Sequence, residues 1–183
     1  MNKALQYVVA VLGLWGPIDV AWTADPLSEV TRDMSETAID PAYEQALAAY
    51  VQGRFTRVRQ TVDADRAQAR RYMSPRFAEK YEAEFNPAVA LAEFKSCQGC
   101  EEFRIRITRM RHELHDERVP WNEYSTNVSY IEFVTEPVVP ADAEPKSMAV
   151  QLDWMPREVR TKGGVPLEIT REDMLVRRQR VSM

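Results

Sequence analysis

The stretch Phe94-Lys95-Ser96-Cys97-Gln98-Gly99-Cys100-Glu101-Glu102-Phe103-Arg104-Ile105-Arg106-Ile107-Thr108 holds the change of period on which the fold reading turns. Up to about Lys95 the apolar residues recur at helical spacing. From Phe103 onward Phe103, Ile105 and Ile107 alternate with Arg104, Arg106 and Thr108, the period of a strand with one buried and one wet face. Arg104 and Arg106 are therefore expected on the solvent side of a sheet, where a partner can reach them. Beyond Arg109 the apolar residues move out of phase, to Met110 and Leu114, which predicts a bulge or a bend.

Upstream of this stretch, Asp40-Pro41, Ser74-Pro75 and Asn86-Pro87 each place a capping residue before a proline at a first helical position. Three helix starts follow from them. The first helix carries Tyr43, Ala46, Leu47, Tyr50, Val51 and Phe55 as an apolar stripe. Residues 62–73, rich in Ala and Arg, are expected to be helical as well. Phe77, Tyr81 and Phe85 fall at four-residue steps, and residues 88–94 form a short apolar helix. The aromatic set on these helices can line a ligand cavity, but at helical spacing Tyr50, Tyr81 and Phe85 read as core. Arg54, one turn beyond Tyr50, should sit at the core's edge and tie its helix to a carboxylate or carbonyl.

Downstream, a second strand is expected over residues 123–135, with Pro137, Pro140 and Pro145 marking a loop. Met148, Val150, Leu152 and Trp154 alternate again, Gly163-Gly164 suits a hairpin turn, and Val165, Leu167 and Ile169 alternate after it. Helices first and about four antiparallel strands afterwards make an α+β domain, not a parallel α/β sheet.

At 183 residues, 45% hydrophobic, the chain has the size of one domain with a short appendage. A formal net charge of −4 supplies no positive field for nucleic acid. Of the 24 basic residues 19 are arginine, whose planar fork suits protein contacts. Residues 4–18 contain no charge and follow Lys3, so residues 1–24 fit a membrane anchor with Trp15 and Trp22 at the interface, a cleaved signal segment, or a buried N-terminal helix. The first two readings put the folded part outside the cytoplasm. Residues 25–39, polar and acidic with Pro26, read as a linker, and residues 40–183 as the domain.

Cys97 and Cys100 are the only cysteines, and with His112 and His115 their spacing resembles a small zinc site. The histidines stand closer than zinc ligands usually do. In an oxidising compartment a disulfide at the turn between helix and strand is the competing reading; a redox pair and two free thiols remain open. There is no G-x-S-x-G elbow and no phosphate-cradling glycine loop. Glu101-Glu102 and Asp116-Glu117 read as solvated edges, and the arginines at 171, 177, 178 and 180 as the basic face of a final strand. No catalytic residue and no cofactor are expected.

Leu47-Ala48-Ala49-Tyr50-Val51-Gln52-Gly53-Arg54-Phe55 resembles the first-helix signature of the bitopic inner-membrane assembly component of type IV secretion and conjugation systems. Tyr72-Met73-Ser74-Pro75 followed by Tyr81 and Phe85 is similar to that family's second helical segment, and Gly164-Val165-Pro166-Leu167-Glu168-Ile169-Thr170 to its closing strand. The resemblance spans about residues 40–175. It implies a single-pass inner-membrane protein with a periplasmic, nuclear-transport-factor-two-like domain, its helices cradled by a curved antiparallel sheet. It also implies no catalytic residues, self-association into a homo-oligomer, and contacts with other secretion-machine subunits. The chain departs from that pattern in having no substantial cytoplasmic tail, in lacking the Asn and second Gly of the closing turn, and in carrying the Cys pair. The rival function is a periplasmic ligand-binding or enzymatic protein of the same fold, which would keep an open cavity on the sheet where a scaffold fills it with aromatic side chains.

Overall fold

A computed structural model describes residues 39–116, 118–120, 125–157 and 164–175. The readings of residues 1–24 and 25–38, of Gly163, and of the arginines at 177, 178 and 180 lie outside the described residues. Among the described residues four helices come first: α1 (Pro41–Phe55), α2 (Val62–Arg70), α3 (Pro75–Phe85) and α4 (Pro87–Ser96). Four strands follow, β1 (Glu102–Glu113), β2 (Asn127–Val139), β3 (Ser147–Pro156) and β4 (Leu167–Leu175), in the order β1-β2-β3-β4, with every neighbouring pair antiparallel. Among the described residues no helix is long and apolar enough to cross a membrane.

The helix starts are set by local chemistry. Asp40 accepts from the Ala42 amide at 2.8 Å and Ser74 from the Phe77 amide at 3.2 Å, each just before a proline. Asn86 departs from the expected capping role. Its φ of 39° puts it in the left-handed region, its amide closes α3 on the Glu82 carbonyl at 3.2 Å, and its side chain makes no cap bond. One residue thus ends α3 and begins α4, a left-handed position that Asn tolerates better than most residues do. The expected helix over 62–73 stops at Arg70, because the next residues leave to pair with the sheet.

Helices α1 and α2 meet backbone to backbone at Gly53. A Cβ there would lie 2.6 Å from the Asp65 carbonyl oxygen and 3.2 Å from the Ala69 amide nitrogen, so only glycine permits this approach. Both sheet edges are touched by helix connections. Arg57 exchanges backbone hydrogen bonds with Phe103 on β1 at 2.8 and 2.9 Å, and Met73 forms a parallel bridge to Ile169 on β4. These short pairings occupy part of each edge without extending the sheet.

The change of phase in β1 appears as a register shift between Ile107 and Arg109 that leaves Thr108 out of the pairing. After it the inward positions are Met110 and His112. Leu114 lies past the strand and is exposed, which corrects its expected place in the apolar set. The second strand begins later than expected and runs through Pro137, which the sequence reading assigned to a loop. Pro137 opposes Phe103, whose N–H and C=O are both turned to Arg57, so the N–H missing from proline breaks no ladder bond there.

The core lies between α1 and the sheet. Leu47, Tyr50 and Val51 face Ile131, Phe133, Leu152, Trp154, Leu167 and Ile169, all buried at 1% exposure or less. Phe55 stacks on Phe133 with centroids 5.1 Å apart, and Tyr43 packs on Trp154 at the same distance. Aromatic and aliphatic side chains fill the helix-facing side of the sheet.

Candidate interaction site

Tyr50 and Arg54 project one turn apart from α1 toward β4, and both meet Glu172. The Tyr50 hydroxyl donates to Glu172 Oε2 at 2.6 Å, and Arg54 Nη2 lies 3.0 Å from Glu172 Oε1. The register shift between Asp153 and Trp154 puts Glu172 opposite Leu152, a core position. Burial pushes the Tyr50 phenol well above its ordinary range, and the Glu172 charge adds to the effect. For Arg54, burial is the largest effect and works to lower the guanidinium; Glu172, Tyr81 and Tyr50 together outweigh it and hold the group above its usual value. A neutral phenol and a charged guanidinium therefore share one carboxylate, tying the first helix to the last strand. The guanidinium also lies 4.7 Å from the Tyr81 ring centroid and 5.1 Å from that of Phe55.

Arg54 also borders a groove of about 280 Å³ between the four helices, with Arg57, Arg66, Tyr81, Phe85 and Phe94 among its walls and no carboxylate in the lining. The Arg57 guanidinium lies 4.3 Å over the Phe94 ring, and Arg66 Nη1 donates to the Gly53 carbonyl at 2.6 Å. Neither Arg57 nor Arg66 forms an ion pair among the described residues. Burial, reinforced by the Arg54 charge, pushes the Arg66 guanidinium below its ordinary value. Phe85, read from its spacing as core, is 58% exposed. It is the last residue of α3, where the chain turns at Asn86, and its ring lies 5.5 Å from that of Tyr81.

Cys97 and Cys100 are joined by a disulfide with an S–S distance of 2.10 Å. Arg59 holds this turn from outside: its Nη2 donates to the carbonyls of both cysteines, its Nη1 pairs with Glu102, and its backbone N–H donates to Glu102 Oε2 at 2.9 Å. The zinc-like spacing is not matched by geometry, because each cysteine is bound to the other. His112 meets Ser129, and His115 Nε2 lies 2.8 Å from the Val119 carbonyl. Among the described residues no group of three or more His, Cys, Asp or Glu is placed to hold a metal.

His112 Nδ1 lies 2.9 Å from Ser129 Oγ, which also accepts from Trp154 Nε1 at 2.8 Å. Ser129 is completely buried, so this serine and histidine are out of a substrate's reach. Burial lowers the His112 pKa against a smaller opposing effect of Glu44. An unfolded histidine titrates at about 6.5, and the folded one titrates lower, so between the two the unfolded chain binds more protons. The stability is present in full above the unfolded value and is lost as pH falls toward the folded one. Urea unfolding should give a lower midpoint at pH 5 than at pH 7, with a smaller drop for His112→Gln. Equal drops in the two proteins would assign the effect to other groups.

Arg104 and Arg106 lie on the solvent face of the sheet, with Arg106 Nε 2.7 Å from Glu136 in an exposed pair. That face is not wet throughout. Arg111, in line with them beyond the bulge, is 6% exposed and lies 3.6 Å from Glu132. Sequence reasoning missed Arg57, Arg59, Arg66, Glu102 and Glu172. The only signal available was the predominance of arginine over lysine, which has no address in the fold.

No family model matches the chain, and no curated protein matches it in sequence. Solved structures match it in shape. The soluble domain of TrwG, type IV secretion machinery from Bartonella grahamii, aligns with a TM-score of 0.50 at 10% identity, over 78% of this chain and 100% of that one. TraE protein in complex with 2-(2-furyl)isonicotinic acid aligns with a TM-score of 0.51 at 15% identity, over 76% of this chain and 98% of that one. The described residues have the fold of these two proteins, α+β with helices packed on an antiparallel sheet.

Proposed function

We propose that the chain is a non-enzymatic structural or assembly subunit of an envelope-spanning type IV secretion or conjugation machine. The observation that carries this reading is the match to the TrwG soluble domain over that domain's whole length. The first-helix signature around Tyr50 and Arg54, found in the sequence independently of the fold, supports it. So does the filled side of the sheet, where Phe133 and Trp154 occupy the space that a ligand-binding member of the fold would leave open. In this reading residues 1–24 hold the protein in the inner membrane, residues 25–39 link, and the domain of residues 40–183 stands in the periplasm. There it self-associates and contacts other machine subunits, with the exposed arginines 104 and 106 as contact points and the Cys97–Cys100 bridge suited to an oxidising compartment.

The test is deletion and complementation in a host that carries the machine. Loss of the chain should abolish transfer, and the protein should fractionate with inner membrane and resist salt extraction, because screening charge does not reverse apolar burial. Arg104→Glu with Arg106→Glu should restore less transfer than the natural chain while leaving thermal stability unchanged. Transfer that persists without the chain, or recovery of the protein mainly from cytosol, would sink the reading.

A further inference from the structure

The groove bordered by Arg54, Arg57 and Arg66 collects three cations in a chain whose formal net charge is −4. One of the three is neutralised by Glu172; the other two have no ion-pair partner among the described residues. Beside them stand aromatic and aliphatic side chains. Phe94 lies under Arg57 and Arg59, Tyr81 under Arg54, and the Phe85 ring, more than half exposed, stands with Pro87, Ala90 and Leu91 in the groove's wall. Guanidinium forks next to bare apolar surface call for a partner with carboxylates and an apolar or aromatic side chain close together.

We propose that this groove docks a short acidic segment of another protein, with its carboxylates on Arg57 and Arg66 and an aromatic side chain against Phe85 and Tyr81. The inference rests on the reading that the chain works through protein contacts and names the chemistry of one such partner. Charge complementarity selects the occupant. A free phosphate would use the guanidiniums and leave the rings uncovered. A nucleic acid needs a basic tract longer than one groove on an acidic protein. At about 280 Å³ the groove falls just under the ~300–1,000 Å³ of small-molecule clefts and has room for one or two side chains of a longer segment. An arriving anion would also relieve the crowding of like charges that Arg66 experiences from Arg54 and Arg57.

The experiment uses the full chain in detergent micelles and a fluorescein-labelled peptide, Asp-Glu-Phe-Asp-Glu, followed by anisotropy at low salt. Binding should weaken about tenfold or more, the equivalent of ~1.4 kcal/mol, in Arg57→Glu and in Arg66→Glu. It should weaken similarly when the peptide's acids become amides or its Phe becomes Ala, and should decline as salt is raised. Because Arg66 also bonds the Gly53 carbonyl, Arg57→Gln serves as the milder variant, and unfolding midpoints separate lost binding from lost folding. Arg118→Glu, at an exposed arginine outside the groove's lining, should bind as the natural chain does. Peptide binding that is unchanged in the Arg57 variants, equal for the amide peptide, or displaced by inorganic phosphate at equimolar concentration would overturn the proposal. Full restoration of transfer by Arg57→Glu in the deletion host would overturn the groove as a docking site and leave the subunit reading standing.

Discussion

Tyr50→Ala should lower the stability of the domain by about 3–4 kcal/mol, the usual cost of truncating a buried aromatic side chain. Tyr50 is fully buried between Leu47 and Val51 on α1 and the inner face of the sheet, and its ring meets that of Tyr72 edge-on with centroids 6.4 Å apart. The removed ring leaves a space that the sheet cannot collapse into, because β3 and β4 are held by their ladders. Tyr50→Phe keeps the ring and removes one donor from Glu172, so its cost should be about 1–2 kcal/mol. Denaturant unfolding of both variants is the measurement. A loss below about 1 kcal/mol for alanine would show that α1 does not need this ring to hold the sheet.

Glu172→Ala should cost about 3 kcal/mol by a different route. The Arg54 side chain is 16% exposed, and without Glu172 its charge would have aromatic rings beside it and no anion. Breaking a buried pair from one side is far more damaging than replacing both partners, since the remaining charge keeps its desolvation penalty. A variant combining Tyr50→Phe, Arg54→Met and Glu172→Met should therefore recover most of the loss, to within about 1 kcal/mol of the natural chain. A double-mutant cycle between positions 54 and 172 reads the coupling directly. If Arg54→Met and Glu172→Ala prove additive, the two groups are solvated independently and the clamp contributes nothing.

The groove was the least legible part of the molecule. The spacing from Tyr50 puts Arg54 on the same face of α1, yet nothing local announces that Arg57 and Arg66 come to the same groove. Phe85 shows the limit of periodicity. Four-residue spacing from Tyr81 puts it on the same face of α3, but it cannot report that the helix ends there and leaves the ring mostly exposed. The loop expected at Pro137 failed for a related reason. A proline forbids a strand only where its N–H is needed, and here Arg57, in the loop that follows α1, takes the bonds of its opposing residue.

By itself the sequence determined the order of helices and strands, the proline-marked helix starts, the bulge in β1 and the pairing of Tyr50 with Arg54 on one face, because each depends on residues within a few positions of one another. Only the tertiary structure decided that Glu172, 122 residues beyond Tyr50, closes the clamp. It also decided that Arg59 braces the disulfide turn, that His112 is committed to Ser129, and that three arginines from α1, its following loop and α2 share one groove. The physical reason is that periodicity tells which side of an element is withdrawn from water, whereas the partner of a charge is chosen by whichever element packs there. That choice belongs to the assembled core and to no segment alone.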